Sequence, residues 1–151
     1  MERLSHFEEK AGIVASKHEW GRWSQSVREV NVEVNLQPGT KAKELAVCIK
    51  PNHLQCRLAD NSREFLNGKL FGTIKVDESI WTIEEKKTLR IVLTKANYST
   101  KEAVWTSLFE NEFEADKETE KQMRAKLDLE RFQLEYPGMD FSSAKLSTNN
   151  K

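Results

Sequence analysis

At 151 residues the chain is long enough to bury a core of its own, so folding requires no metal, cofactor or disulfide. Hydrophobic residues make up 38% and charged residues 32%, which predicts a modest core under a densely charged surface. The 24 basic and 24 acidic side chains cancel, which argues against a nucleic-acid binder, a role that draws on excess positive charge to displace counterions from phosphate.

Residues 1–14 are polar and weakly patterned and read as a flexible arm. Trp20 and Trp23 follow; a spacing of three cannot place both on one face of a regular strand, so Gly21 is expected to mark a bulge. From Glu29 the alternation is clean, with Val30, Val32, Val34 and Leu36 on one side and Asn31, Glu33 and Asn35 on the other, the signature of a strand with one buried face. It ends at Gln37-Pro38-Gly39-Thr40, where proline presets the first turn angle and glycine accepts a positive φ. The same pattern recurs at Leu45, Val47 and Ile49, at Leu54, Cys56 and Leu58, and at Leu89, Ile91 and Leu93. Shorter strand signals lie at Arg63–Leu66, Thr73–Val76 and Ile80–Ile83. Turns are expected at Pro51-Asn52, Ala59-Asp60-Asn61-Ser62, Asn67-Gly68 and Gly72. Seven short strands with no intervening helix predict an all-β fold, a seven-stranded antiparallel β-sandwich over residues 15–97.

Residues 98–141 read as a helical extension. Trp105, Leu108 and Phe109 suggest a turn that pins a helix to the sandwich. Ala115 to Tyr136 is free of internal glycine and proline, with Asp116 as N-cap and Pro137-Gly138 as the stop. At about 100° per residue, Met123, Leu127 and Leu134 form one apolar stripe, and Ala125, Leu129, Phe132 and Tyr136 form a second, roughly opposite. Two stripes imply two partners: the sandwich, and either the chain's own arm or its Met139–Phe141 segment, or another molecule, as in a homodimer or a partner-helix site. Residues 142–151 are polar and read as a disordered tail. Charge divides along the chain too, since residues 110–135 hold nine acids and five bases while residues 1–109 hold 14 acids and 17 bases.

No catalytic or metal-binding group stands out. His6, His18 and His53 are scattered, no Gly-x-Ser-x-Gly elbow or phosphate-cradling glycine loop is present, and no cofactor is expected. Cys48 and Cys56 are too few for a disulfide framework and fall on opposite strand phases. No apolar run reaches the roughly 18 residues of a membrane span. Met1-Glu2-Arg3-Leu4-Ser5-His6 carries charge where a signal peptide is apolar. The expectation is a cytoplasmic, non-enzymatic protein that touches neither membrane nor nucleic acid.

The segment from Lys69 to Lys95, with Gly68-Lys69-Leu70-Phe71, Ile74, Asp77-Glu78-Ser79, Trp81 and Thr82-Ile83-Glu84, resembles the core of the CS domain. The Trp20…Trp23 pair, the Glu29-Val30 strand and the Pro38-Gly39-Thr40 turn are similar to CS domains of the NudC family. Trp105-Thr106-Ser107-Leu108, the Leu127…Phe132 helix and Pro137-Gly138-Met139-Asp140-Phe141 resemble that family's short members, which lack the long coiled-coil extension. The resemblance implies a seven-stranded sandwich and a co-chaperone that binds client proteins and the ninety-kilodalton heat-shock chaperone, stabilising WD-repeat dynein regulators such as the lissencephaly protein. A scaffold of the dynein nuclear-migration pathway without holdase activity is the alternative. The cytoplasm, with the centrosome or spindle as places of association, follows from the same resemblance.

Candidate partner-binding residues follow from alternation. Lys75 lies between Ile74 and Val76, and Arg90 between Leu89 and Ile91, so both point outward; Arg63 and Lys69 are expected to join them in a basic patch that meets an acidic surface. Leu70, Ile74, Trp81, Leu89 and Ile91 are expected in the core, with Trp81 also a candidate interface anchor.

Overall fold

The computed structural model describes residues 13–97 and 103–136. Most of the expected arm, the Pro137-Gly138 stop, the Met139–Phe141 segment and the tail lie outside the described residues.

Ten strands and one long helix are present among the described residues: β1 (Ala15–His18), β2 (Gly21–Gln25), β3 (Glu29–Asn35), β4 (Leu45–Lys50), β5 (His53–Leu58), β6 (Glu64–Lys69), β7 (Ile74–Glu84), β8 (Thr88–Lys95), β9 (Ser107–Phe109), β10 (Glu112–Glu114) and α1 (Lys117–Glu135). All pairings are antiparallel. They form a five-stranded sheet in the order β1-β2-β3-β8-β7, a three-stranded sheet in the order β4-β5-β6, and a β9-β10 hairpin joined to the body by a bridge between Leu70 and Phe109. The expected antiparallel β-sandwich with a C-terminal helix is the architecture found.

The core follows the alternation. Val30, Val32 and Val34 of β3 face Leu93, Ile91 and Leu89 of β8 in register, and all six are fully buried. Leu54 and Cys56 of β5 close the core from the other sheet together with Leu45, Leu66 and Leu70. Cys56 is buried and Cys48 exposed, as their opposite phases predict.

The strand count differs from seven for identifiable reasons. Thr73–Val76 and Ile80–Ile83 are one strand, β7, interrupted by a bulge between Lys75 and Ile80. The Ser79 hydroxyl fills that gap, donating to the Lys75 carbonyl at 2.7 Å and accepting from the Thr94 amide at 3.1 Å, so the ladder is replaced rather than broken. Strands β1, β2, β9 and β10 are too short to show a period, and all three residues of β9 are buried.

Gly21 does not mark a bulge. It closes the β1-β2 hairpin opposite His18 and stays in register with Val34; its φ is +149°, and a β-carbon there would lie 1.9 Å from the Glu33 carbonyl oxygen. The two tryptophans are both buried because Trp20 sits in the turn, outside the strand period. Asn67-Gly68 is not a turn either but part of β6, where the missing side chain of Gly68 makes room for the Phe109 ring.

Candidate protein-interaction surfaces

Cross-strand register decides which face each expected contact residue occupies. Arg90 opposes Thr82, Lys75 opposes Thr94, and Ile80 opposes Val92, all on the outer face of the five-stranded sheet, away from the buried Leu89, Ile91 and Leu93. Trp81 opposes the buried Ile91, so it lies on the inner side of the sheet edge, half-buried against the core. Arg63 and Lys69 belong to the other sheet: Arg63 precedes β6 with its guanidinium 4.8 Å from the centre of the Phe65 ring, and Lys69 ends that strand. The five residues therefore do not form one patch. Only Lys75 and Arg90 share a face, and Trp81 is turned away from both.

Their charge is also largely matched by near neighbours. Lys75 pairs with Glu78 at 3.5 Å, Arg90 with Glu84 at 3.4 Å, and Lys69 with Glu110 at 3.0 Å. These pairs are substantially exposed, where an ion pair contributes about 0–1 kcal/mol and exchanges partners readily. Between Lys75 and Arg90 lies an apolar spot that the alternation pattern did not reveal: Ile80 is 63% exposed beside Val92, and Val76 is exposed at the neighbouring bulge. The bulge itself changes which side chains of β7 face outward, so a simple count of two from Ile74 loses the phase.

The helix begins as expected. Asp116 caps it, accepting from the Thr119 amide at 2.7 Å; this hydrogen bond, with a smaller contribution from Thr119's side chain, holds the carboxyl below its usual range. Met123 and Leu127 are fully buried, but Leu134, assigned by angle to the same stripe, is exposed because the helix runs beyond the body at that end. On the other stripe Ala125 is exposed, Leu129 half-buried, and Phe132 and Tyr136 exposed with their rings 4.8 Å apart.

Beneath α1 lies a buried polar centre. Lys95, 1% exposed, donates to the Gln25 Oε1 (2.9 Å), the Ser26 carbonyl (2.9 Å) and the Ala103 carbonyl (2.8 Å). Gln25 Oε1 also accepts from the Trp105 amide, while its Nε2 donates to the Trp105 carbonyl at 2.7 Å and meets the Met123 sulfur at 3.3 Å. From the helix, Glu130 accepts from the Val27 amide at 3.3 Å. Burial pulls the Lys95 ammonium down to about 7, with Arg131 pushing the same way and Glu130 opposing. The sequence carries a signal for this centre: Lys95 continues the inward phase of Leu89, Ile91 and Leu93, a position where a lysine must find internal acceptors.

The reactive groups are sparse. Among the described residues no three His, Cys, Asp or Glu side chains gather as metal ligands, and burial pushes the Cys56 thiol up to about 12, far from nucleophilic thiolate chemistry. His18 stacks on Trp20 at 5.6 Å and meets the Phe113 edge at 5.3 Å, and burial lowers its pKa. No helix among the described residues is long and apolar enough to cross a membrane.

Comparison with known proteins bears on the same region. The CS domain family model matches residues 19–95. NudC domain-containing protein 2 of Rattus norvegicus is 46% identical over 143 residues, covering 95% of this chain and 89% of its own length. The nuclear movement protein nudc of Schizosaccharomyces pombe is 36% identical over 76 residues, 50% of this chain and 46% of its own. In structure, the CS domain of the human KIAA1068 protein superposes with a TM-score of 0.57 at 23% identity over 68% of this chain and 82% of that domain, a likeness of fold.

Proposed function

This chain belongs to the NudC family of CS-domain proteins, and from that premise we propose that it is a non-enzymatic co-chaperone that holds partly folded clients by reversible surface contact. The observation that carries the reading is the apolar spot of Ile80, Val92 and Val76 on the outer face of the five-stranded sheet, bordered by Lys75–Glu78 and Arg90–Glu84. Exposed apolar side chains rimmed by exchangeable charge suit weak contact with exposed client segments. The clients, by resemblance to the family, include WD-repeat dynein regulators such as the lissencephaly protein, acting with the ninety-kilodalton heat-shock chaperone in the cytoplasm and at the centrosome or spindle.

A second reading has its own support. The apolar spot is small, and the yeast relative is named for nuclear movement, so a scaffold in that pathway would need no holdase surface. Heat aggregation of an unrelated thermolabile enzyme separates the two. The co-chaperone suppresses light scattering at stoichiometric ratio and Ile80→Asp removes most of the suppression. No suppression by the unaltered protein supports the scaffold.

A further inference from the structure

We propose that the outer face of the three-stranded sheet docks an acidic polypeptide segment of a partner protein, through Lys50, His53, Arg57 and Lys69. In register, Lys50 opposes His53 and His53 opposes Lys69, so the three form one row across β4, β5 and β6, on the side opposite the buried Leu54 and Leu66. Two rows along, Arg57 stands between Ala46 and Glu64. The strands are about 4.8 Å apart and alternate residues about 6.6–7 Å apart, so the row of Arg57 lies about 13–14 Å from that of Lys50, the distance between every second carboxylate along one side of an extended acidic segment.

Part of the charge on this face is unpaired. Lys50 and Arg57 make no ion pair among the described residues; Arg57 donates to the carbonyls of Leu58 and Ala59 at its own strand end. Glu64 is occupied by the side-chain amides of Gln55 and Asn67. On the five-stranded sheet's outer face Arg22, Lys75 and Arg90 each pair with a carboxylate, as Lys69 does here with Glu110, whereas Lys50 and Arg57 do not. Residues 41–69 hold six basic and three acidic side chains. Lys69 already receives a carboxylate, Glu110, from a segment whose backbone is tied to β6 by the Glu110 amide donating to the Lys69 carbonyl at 2.8 Å. Between the charged rows stand the uncharged Cys48, Gln55 and Asn67, and the chain as a whole carries no net positive charge, which favours an acidic protein segment over a nucleic acid.

The proposal deepens the reading of the chain as an interaction protein but does not depend on holdase activity. The test is fluorescence anisotropy of a labelled ten-residue peptide of alternating Glu and Ser, titrated with the full chain. Binding is expected at low salt, weakening steeply towards 0.5 M NaCl, and Lys50→Glu with Arg57→Gln is expected to weaken it at least tenfold. Lys75→Glu with Arg90→Glu should leave it within twofold. Because Arg57 also holds its strand end, Lys50→Glu with Lys69→Gln provides a second variant of the same face. No peptide binding, equal loss from both faces, or tighter binding of an oligothymidine or of phosphatidylserine vesicles through Lys50 and Arg57 would each overturn the assignment. Suppression of heat aggregation that survives the Lys50 variants and is lost in Ile80→Asp keeps the two surfaces distinct.

Discussion

A lysine on the inward phase of a strand must either lose its charge or bring acceptors to it, and Lys95 has three oxygens within 2.9 Å. Three acceptors match the three N–H bonds of an ammonium, yet burial still lowers its pKa from 10.5 to about 7. The charged and polar groups that meet it are Gln25 and the Ser26 carbonyl from the β2 end, the Ala103 carbonyl, and Glu130 and Arg131 from α1. Below pH 7 both folded and unfolded chains carry the proton, and the desolvation cost is fully present. Between pH 7 and 10.5 the unfolded chain holds a proton that the folded one has released, so stability rises with pH. The slope attributable to this residue is at most about 1.4 kcal/mol per pH unit. Urea midpoints for the unaltered chain and Lys95→Met, compared from pH 6.5 to 9, check it: the rise due to Lys95 should be absent from the variant. A difference between the two proteins that does not change with pH would show that Lys95 does not titrate in this range. A charged residue such as Lys95 reads as a strand boundary until the inward phase of Leu89, Ile91 and Leu93 is carried through it.

Elements with a long period were legible and short ones were not. The alternation of β3, β4, β5 and β8 gave their cores correctly, whereas β9 is buried at every position and offers no period at all. The candidate contact residues were legible only as to side: Lys75 and Arg90 point outward, but the β7 bulge hid the apolar spot between them, and which sheet carried Arg63 and Lys69 depended on a pairing order that alternation does not encode. The β7-β8 turn was hidden for a different reason. Glu85 and Lys86 have φ of 52° and 59°, and the Lys87 amide donates to the Glu84 carbonyl at 3.1 Å, so both central residues of this turn, within the three-residue connection between the paired Glu84 and Thr88, take the left-handed region that Asn and Gly favour. Neither Glu nor Lys is at ease there, and each such residue costs of order 1 kcal/mol. Replacing the pair by Glu85→Asn and Lys86→Gly should raise the urea midpoint by an amount equivalent to about 1 kcal/mol, less the extra chain entropy that glycine brings to the unfolded state. A fall in the midpoint would mean that the side chains stabilise the turn by contacts beyond its backbone.

At the scale of the whole molecule, the helix is joined to the body at two places of different character. Met123 belongs to the main core cluster, with Trp23, Leu54 and Trp105, and its sulfur meets Gln25. Leu127 belongs to a small separate cluster with Val27 and Val104. A core shared with both sheets unfolds with them, whereas a three-residue cluster at one edge can open alone. Both Met123→Ala and Leu127→Ala remove a fully buried side chain and should cost about 2–5 kcal/mol locally, but the cost should appear in different places. Met123→Ala is expected to lower the global urea midpoint and to speed hydrogen exchange in β3 and β8, the most deeply buried strands. Leu127→Ala is expected to speed exchange mainly at residues 127–135 and around Val27, with β3 and β8 nearly unchanged. Native-state hydrogen exchange resolved by peptide fragment measures both. Equal acceleration in β3 from the two variants would show that helix and sandwich open only together, and that the last turns of α1 are no less firmly tied to the fold than its first.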